Sequence, residues 1–587
     1  MSSNILDDSS EGTSSNQSYS ENEDVNTESD TKSATSQCGL YTNARNEDDV
    51  VIINQIDNVI TNEKHLINYN NVDVNGDHAI RKPFQLRKMC CTITTILIGL
   101  LLLAWGLVTI VLPIYDFVLI ERLKMQPGLP PFEEWRTPSP EVLLRVYIFS
   151  VENPAAFLNK TDDKLKLKEI GPIVYKEHLQ HRNVEFHREN STLSYTAHRD
   201  VEFLEDRNEP GILNRTILVP NFVLLATIAS LEKYPYYFVK FPFQQMLSEE
   251  DTLFLNMTVR DYLWNYKSDI VERVYNSFFS FLVPTNNSGC LYQIYSNFED
   301  RYNVRIGAGY GFDHFFEITS MNGATVVPGF QSSKCNASIV GSTEGALYKN
   351  RLDEDSVLWY WRKSLCRQVP LYFEKNMTEG SFDAKKYVLR ENVYDRFENE
   401  TEDCYKGFVD RLPNGFSDVS KCFFDMPFAA SNPHFYGRYP NELTTKLDGL
   451  KPDREKHQSF IIVEPVMGVP INQSARSQSN VIIPKLTYFN EDILRFSNMA
   501  LPTFWVEYHQ KQLTPKIEKL MYFTLFVLPW LQYVITIFLM LTGLLCLTLG
   551  VARCMAQEPS PKQLNTPPSK FGTNYKLQEA EITWNIK

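Results

Sequence analysis

Few residue types that perform catalysis occur in this chain at the spacings that catalysis needs. The glycines of residues 307–311 form a G-x-G-x-G run, but no helical pattern follows it, so a hairpin is predicted and not a phosphate-binding loop. His178 and His181 point to opposite faces of an extended segment, which does not suit two ligands of one metal. Ser342 lacks the G-x-S-x-G surroundings of a hydrolase nucleophile. We therefore predict no catalytic residue, no metal site and no cofactor, and we do not expect an enzyme.

Cysteines are the next residues with a chemistry of their own. Five of them lie between two long apolar runs, at Cys290, Cys335, Cys366, Cys404 and Cys422. In an oxidising compartment they should pair, and the odd number leaves one of them over. Their spacing alone leaves every pairing scheme open.

Asparagine acceptors for glycosylation point to such a compartment. Nine Asn-x-Ser/Thr sequences fall between the same two apolar runs, about three times as many as composition alone would give. They are at Asn159, Asn190, Asn214, Asn256, Asn286, Asn336, Asn376, Asn399 and Asn472. The excess indicates that this part of the chain is lumenal or extracellular.

The two apolar runs are long enough to cross a membrane. Residues 89–115 and 520–552 contain no charged side chain, and a span needs about 20 helical residues. The first run begins too far from the N-terminus to be a cleaved signal peptide. Four basic residues within 81–88 precede it, and positive charge stays in the cytosol. We therefore predict two transmembrane helices, the second kinked or tilted at Pro529, with both chain termini in the cytosol.

The segments outside the spans differ in composition. Residues 1–88 are rich in Ser, Asn, Asp and Glu, which predicts a disordered acidic cytosolic tail, and residues 553–587 form a short polar cytosolic tail. Cysteines at the cytosolic ends of the spans are candidates for palmitoylation, with small apolar filler as an equal alternative: Cys90, Cys91 and Cys554. The net charge of −13, from 58 basic and 71 acidic residues, argues against nucleic acid as a partner.

Residues 116–519 read as one large extracellular domain of mixed structure. Runs of β-branched and aromatic residues bounded by Pro or Gly predict strands over 145–151, 171–175 and 460–471. Between residues 221 and 268 the apolar spacing becomes helical. The predicted fold class is therefore α+β, with a helical insertion in a strand-rich domain.

Six segments follow one another between the two spans in an order that is typical of one family. They read RVYIFSVENPAAF (145–157), KEIGPIVYKEH (168–178), TVRDYLWNYKSD (258–269), PHFYGRYP (433–440), LDGLKPDREKHQSFIIVEPVMGVPI (447–471) and LPTFWVEY (501–508). With these segments and its topology the chain resembles the class B scavenger receptors, the family of fatty-acid translocase, the high-density-lipoprotein receptor and lysosomal integral membrane protein. The resemblance covers residues 90–555 and leaves out the first 85.

The resemblance implies a fold and an activity. The extracellular domain would be an irregular antiparallel β-barrel with a helical bundle at its membrane-distal apex and an internal hydrophobic tunnel. Lipid docked at the apex would pass down this tunnel to the bilayer without a reaction, because an apolar conduit spares it contact with water. The resemblance also implies that Cys335 pairs with Cys404 and Cys366 with Cys422, and it offers no counterpart for Cys290.

The apex departs from the family pattern. Well-known members carry lysines there that attract oxidised lipoproteins, whereas this chain has three acids. Ligand contacts are expected within one short segment: Phe243, Met246, Leu247, Glu249, Glu250 and Asp251. The acids would repel anionic particles, so oxidised lipoprotein is not expected as the ligand, although an ordinary solvated acidic face is an equally good interpretation. The aromatic residues of 234–241 are expected in the core rather than on an exposed docking surface.

The sequence therefore predicts a plasma-membrane scavenger receptor that binds lipid or lipoprotein particles and passes on sterol ester, carotenoid or fatty acid. Within the family, the alternatives are a sensory-neuron protein for hydrophobic odorants and a lysosomal member. Neither tail contains an acidic dileucine signal, which weakens the lysosomal interpretation. A two-span ligand-gated channel shares the topology, but residues 520–552 are almost wholly apolar, with Gln532 the main exception. A homo-oligomer is compatible with all of these interpretations.

Overall fold

The structure is a computed structural model that describes residues 81–282, 285–296, 299–327, 329–330, 335, 337–398, 403–407 and 410–556. From Lys88 onward the described chain belongs to one compact unit. The predicted acidic tail up to residue 80, the C-terminal tail beyond residue 556 and the acceptors Asn336 and Asn399 lie outside the described residues.

Strands make up most of the domain between the two long helices. They are β1 (Val142–Val151), β2 (Leu165–His187), β3 (Thr192–Phe203), β4 (Thr216–Pro220), β5 (Phe254–Thr258), β6 (Arg301–Arg305), β7 (Ile318–Met321), β8 (Leu358–Arg362), β9 (Arg367–Glu379), β10 (Phe382–Leu389), β11 (Ser417–Asp418), β12 (Phe428–Ser431), β13 (Leu447–Asp448), β14 (Phe460–Glu464), β15 (Val469–Ile483) and β16 (Met499–Gln510).

Helices lie at both ends of the chain and in the insertions between strands. They are α1 (Arg81–Val111), α2 (Ile114–Leu123), α3 (Pro130–Arg136), α4 (Pro154–Leu158), α5 (Phe222–Leu231), α6 (Phe241–Met246), α7 (Val259–Trp264), α8 (Asp269–Tyr275), α9 (Cys290–Tyr295), α10 (Arg454–His457), α11 (Glu491–Leu494), α12 (Pro515–Tyr522) and α13 (Leu528–Met555). Two π-helical turns, Tyr236–Lys240 and Phe523–Val527, join α5 to α6 and α12 to α13.

One large sheet organises the described domain. Its strands follow the order β7-β6-β3-β2-β1-β16-β15-β14-β10-β9-β8, and neighbouring strands in this order run antiparallel. β12 joins β15 on one side and β11 on the other, and β13 adds a short parallel pair to β2. The first strand of the domain, β1, therefore pairs with the last, β16.

A short segment joins the two edges of this sheet. Ile318 of β7 donates to the carbonyl of residue 342 and accepts from the N–H of residue 341, at 2.8 and 3.0 Å. On the other side, Thr343 donates to Trp359 of β8 at 2.9 Å and accepts from Trp361 at 2.8 Å. Residues 341–343 thus close the sheet on itself as an irregular barrel, as the resemblance implied.

The α+β class and the two terminal apolar helices are confirmed. Helices long and apolar enough to cross a membrane cover Met89–Val111 and Pro515–Met555. The second contains a π-helical turn directly before Pro529, whose missing N–H leaves the carbonyl four residues earlier without its usual helical donor. Two sequence predictions need correction: residues 460–471 form two strands with a turn between them, and the segment 221–268 includes the strand β5.

The two long helices pack closely against each other. A Cβ atom added to Gly99 would lie 3.0 Å from the carbonyl oxygen of Gly543, so a larger residue would push the two helices apart. Nearby, the hydroxyls of Thr109 and Thr536 are 3.0 Å apart. The contact fixes how the helices α1 and α13 are aligned.

Gln532 bridges the end of the first helix. Pro113 has no N–H, so the carbonyl of Thr109, four residues earlier, lacks its helical donor. The side-chain amide of Gln532 donates to this carbonyl at 3.2 Å, and its oxygen accepts from the N–H of Tyr115 at 3.2 Å. Gln532, the main polar exception in the second span, therefore supplies hydrogen bonds that the backbone lacks at the break between α1 and α2.

Candidate functional site

Two disulfides hold the loops on one side of the barrel. Cys335 is bonded to Cys404 and Cys366 to Cys422, with Cα atoms 5.4 and 5.8 Å apart. These are the pairs that the resemblance implied. Cys290 forms no disulfide; it lies buried at the start of α9, and burial raises the pKa of its thiol.

Six of the seven described glycosylation acceptors lie at the surface. Asn159, Asn190, Asn214, Asn256, Asn286 and Asn376 are all exposed. Asn472 of β15 differs, because it is half-buried and its amide donates to Glu379 at 3.1 Å. Glycosylation at these positions remains a prediction, and Asn472 is the least accessible of the described acceptors.

A first cavity lies beside the helical insertion, and we call it the distal cavity. It has a volume of about 110 Å³ and is lined mainly by apolar side chains. Its walls include Phe222, Cys290, Met426, Phe428 and Phe504. Helix α5 contributes Phe222 to this wall, and all ten of its residues are buried. The helix begins at Asn221, whose side chain accepts a hydrogen bond from the N–H of Leu224.

Two further cavities continue toward the membrane helices. The middle cavity, of about 40 Å³, shares Ser364 and Ser477 with the distal cavity. The proximal cavity, of about 170 Å³, reaches Leu520 and Met521 at the start of the second span. Three cavities with shared walls therefore form a row from the helical insertion to the membrane end of the barrel.

The middle and proximal cavities meet at polar side chains inside the barrel. Tyr360, Arg362, Gln473, Ala475 and Tyr508 line both of them. The guanidinium carbon of Arg362 lies 3.8 Å from the centre of the Tyr508 ring. This stacked pair stands between the two cavities.

Arg362 of this pair belongs to a group of four buried charges, which we call the interior ion cluster: Glu177, Arg199, Glu344 and Arg362. Glu177 accepts from Arg199 at 2.8 Å and from Arg362 at 3.1 Å. Arg199 also donates to Glu344 at 2.9 Å. Two positive and two negative charges alternate, so each buried ion has an opposite partner.

The cluster keeps its carboxylates ionised despite burial. Burial alone would raise the pKa of Glu344, but the nearby His181 and Arg199 hold that pKa at about 2. Burial is likewise outweighed at Glu177, where Arg362 and Arg199 lower the pKa. The sequence analysis missed this cluster, because its members lie on β2, β3, β8 and the segment after the barrel closure and share no local pattern.

The prediction that the aromatic residues of 234–241 are core is wrong for Tyr237, Phe238 and Phe241, which are exposed, whereas Tyr234 and Tyr236 are half-buried. Tyr237 and Phe238 are 81% and 79% exposed. The π-helical turn begins after Pro235 and turns these rings outward instead of presenting one buried face. With a neighbouring ring from another loop they form the exposed aromatic cluster: Tyr236, Tyr237, Phe238, Phe241 and Tyr488.

The acidic segment beside this cluster is only partly solvated. Glu249 and Glu250 are exposed, whereas the carboxylate of Asp251 is paired with Arg273 and accepts from the N–H of Ser248. The apolar residues predicted as apical contacts behave differently: Phe243 is fully buried in the main core, and Met246 and Leu247 are half-buried against it. Of the predicted contacts, the two glutamates face solvent most fully.

Two imidazoles stack where two of the motif segments meet. The ring centres of His434 and His457 are 4.6 Å apart. The N–H of Lys451 donates to Nδ1 of His434 at 3.1 Å, and that of Asp453 to Nδ1 of His457 at 2.9 Å. Each ring therefore carries its proton on Nε2, and His434 uses it to bind Glu169 at 2.7 Å. With both nitrogens engaged, His434 fixes these loops and has none free to act as a general base.

The stack predicts a dependence of stability on pH. Burial and the neighbouring His434 lower the pKa of His457 to about 4. An unfolded histidine titrates near 6.5, so the unfolded chain binds the proton first and stability falls as the pH drops from about 6.5 toward 4. We expect a loss of the order of 1 kcal/mol at pH 5, and His457→Gln should flatten this part of the melting-temperature profile.

His178→Gln is the matched control for this measurement, because His178 is exposed and its ion-pair partner among the described residues is Glu202. Thermal unfolding of the purified protein between pH 7 and pH 5 would show the difference. An unchanged slope in the His457 variant would mean that the stack does not carry the pH dependence.

Comparison with known proteins finds a family model and relatives that match most of this chain. The family model of the CD36 family matches residues 96–554. "Scavenger receptor class B member 1" of Cricetulus griseus is 27% identical over 470 residues, which cover 78% of this chain and 89% of that protein. The protein of the same name from Sus scrofa is 26% identical, covering 70% and 78%. "Lysosome membrane protein 2" of Rattus norvegicus is 26% identical, covering 71% and 85%.

Proposed function

The chain belongs to the CD36 family, and from this premise we propose that it is a membrane receptor that binds lipid or lipoprotein particles and passes their hydrophobic lipid to the bilayer through the barrel. The observation that carries the proposal is the row of three cavities from the helical insertion to the second span. No covalent step is part of it. The direction of transfer follows the concentration gradient of the lipid.

The exposed aromatic cluster supports docking at the distal end. Aromatic rings combine a large apolar surface with a stable position at a lipid–water boundary, so exposed Tyr237 and Phe238 suit contact with a particle surface. Apart from Tyr488, the cluster follows directly after α5 in the chain, and the first residues of this helix, Phe222 and Val223, line the distal cavity. Lipid leaving a docked particle would meet this cavity first.

The volumes indicate that the row must widen during transfer. A cavity of about 150 Å³ accepts a benzene-sized molecule, whereas the three cavities measure about 110, 40 and 170 Å³. A sterol ester is far larger, so the stacked pair Arg362 and Tyr508 has to move when such a ligand passes. The structure corresponds to the narrow state of the row.

The topology completes the proposal. Residues 116–519 would lie outside the cell and carry the glycans, and residues 1–88 and 553–587 would lie in the cytosol. We propose the plasma membrane as the location, because neither tail contains an acidic dileucine signal. A relative carries the name lysosome membrane protein 2, so the lysosome is the alternative location.

Uptake of doubly labelled lipoprotein tests the proposal. Cells that display the protein receive particles labelled in both the neutral lipid and the protein moiety. We expect lipid to accumulate well beyond protein. Equal entry of the two labels would indicate endocytosis of whole particles, and no entry of either would count against a lipid receptor at the cell surface.

Particle binding should depend on the exposed aromatic cluster. The double variant Tyr237→Ser/Phe238→Ser removes two rings that pack little of their surface inside the protein, so folding should be retained. Loss of their contact with lipid should weaken particle binding about tenfold or more. Phe397→Ser removes a half-exposed ring outside the cluster and should leave binding unchanged. Equal binding by the double variant and the wild type would place the docking surface elsewhere.

A further inference from the structure

The proximal cavity has one charged wall residue without an opposite partner. Its charged lining consists of six side chains: Arg122, Glu134, Glu177, Arg199, Glu344 and Arg362. Glu134 pairs with Lys516, and the other four apart from Arg122 form the interior ion cluster. Within the described part of the chain, Arg122 has no carboxylate within ion-pair distance. The lining therefore holds one positive charge that is not part of an ion pair among the described residues.

Arg122 is held in position but keeps donors to spare. It lies in the last turn of α2, only 9% exposed, and its Nη1 donates to the carbonyl of Met467. Glu464 interacts with Arg122 electrostatically without forming an ion pair, and its carboxylate accepts the N–H groups of Val466 and Met467, each at 2.8 Å. A guanidinium has five N–H donors, and the bond to Met467 uses one of them. The other four have no hydrogen-bond acceptor among the described residues, and Arg122 lines the cavity.

Another part of the wall of this cavity is apolar and leads to the second span. It is formed by Leu513, Ile517, Leu520 and Met521, which belong to the segment that runs from the barrel into the second span. A ligand with its charged group at Arg122 can therefore lay its hydrocarbon chain along α12 toward the membrane. The arrangement of one buried cation and one apolar exit suits a molecule with an anionic head and an apolar tail.

We propose that Arg122 binds the carboxylate or phosphate head of an anionic amphiphile in the proximal cavity and orients its chain toward the second span. The proposal rests on the transfer function proposed above, because it names a class of lipid that the same row of cavities accepts. A buried guanidinium pairs strongly with either anion. Neutral lipid gains nothing from this residue.

The test compares acids with neutral analogues of the same shape. The full-length protein in lipid vesicles receives a fluorescent long-chain fatty acid or its methyl ester, and in a second arm phosphatidic acid or diacylglycerol. We expect Arg122→Gln to weaken binding and transfer of the acid about tenfold and to leave its neutral analogue unchanged. Arg122→Lys keeps the charge and should retain part of the affinity. The arm in which Arg122→Gln weakens binding of the acid identifies the head group as a carboxylate or a phosphate.

Arg136→Gln is the matched control, because Arg136 is exposed on the neighbouring helix α3 and pairs only with Glu133 among the described residues. If Arg122→Gln weakens acid and neutral analogue equally, Arg122 has a purely structural role and the proposal is wrong. It is equally wrong if neither changes, or if the wild type transfers the esters but not the acids. If the wild type transfers no lipid of any kind, the transfer function itself fails.

Discussion

Replacing Ala475 by tryptophan is expected to lower lipid transfer at least about tenfold while particle binding at the distal end stays at the wild-type level. Ala475 lies on β15 opposite Tyr508 of β16 and lines both the middle and the proximal cavity. An indole at this position would fill the middle cavity of about 40 Å³ and prevent the stacked Arg362–Tyr508 pair from moving aside. The variant therefore distinguishes docking of the particle at the distal end from passage of lipid through the barrel.

A graded series keeps this experiment decisive. Overpacking destabilises a protein by about 1–3 kcal/mol, so Ala475→Val and Ala475→Leu should reduce transfer in the order of their volumes while the protein still reaches the surface. Ala155→Trp introduces the same side chain at an exposed position of α4 and should have no effect. Full transfer by a correctly displayed Ala475→Trp protein would show that lipid does not pass through the barrel.

Removal of Glu177 should have the largest effect on stability. This carboxylate neutralises both Arg199 and Arg362 and accepts from the hydroxyl of Tyr295 at 2.7 Å. Glu177→Ala leaves two buried guanidiniums with one carboxylate, and breaking a buried pair in this way destabilises a protein by about 3–5 kcal/mol. Because a folded domain is stable by only about 5–15 kcal/mol, most of the variant should be retained inside the cell.

Glu202→Ala is the control for this loss. Glu202 lies on β3, which pairs with the strand β2 that carries Glu177. Unlike Glu177 it is exposed, and it contacts His178 at the surface. An exposed ion pair contributes about 0–1 kcal/mol to stability, so the melting temperature of the Glu202→Ala variant should stay close to that of the wild type. Similar melting temperatures for both variants would show that the interior ion cluster does not hold the barrel together.

The spans and the class of the fold were predictable because their signals are local. A charge-free run such as 89–115 has few stable environments other than a bilayer, and the β-branched and aromatic residues of 145–151 mark β1 within a few positions. The disulfide pairs were accessible only through the resemblance, since cysteine spacing is the same for every pairing scheme.

The site was not predictable in the same way. Glu177 and Arg362 meet across 185 residues of sequence, and no local pattern marks a charged side chain of a strand as facing the inside of a barrel. The aromatic run around Tyr237 and Phe238 was misread for the opposite reason: its composition is that of a core, but π-helical geometry turns the rings to solvent. Arg122 carried no signal, because its lack of an ion-pair partner among the described residues is visible only in three dimensions.

The pairing of β1 with β16 sets the timing of biosynthesis. Arg145 of β1 binds Glu507 of β16 at 2.9 Å across 362 residues, which a ribosome translates in roughly 20–70 s at about 5–20 residues per second. Until then β1 has β2 on one side and an open edge on the other, which invites pairing with other chains. On the topology proposed above, the nascent protein therefore needs chaperones of the lumen during most of its synthesis. A chain that stops before β16 should be degraded rather than exported in a shorter form.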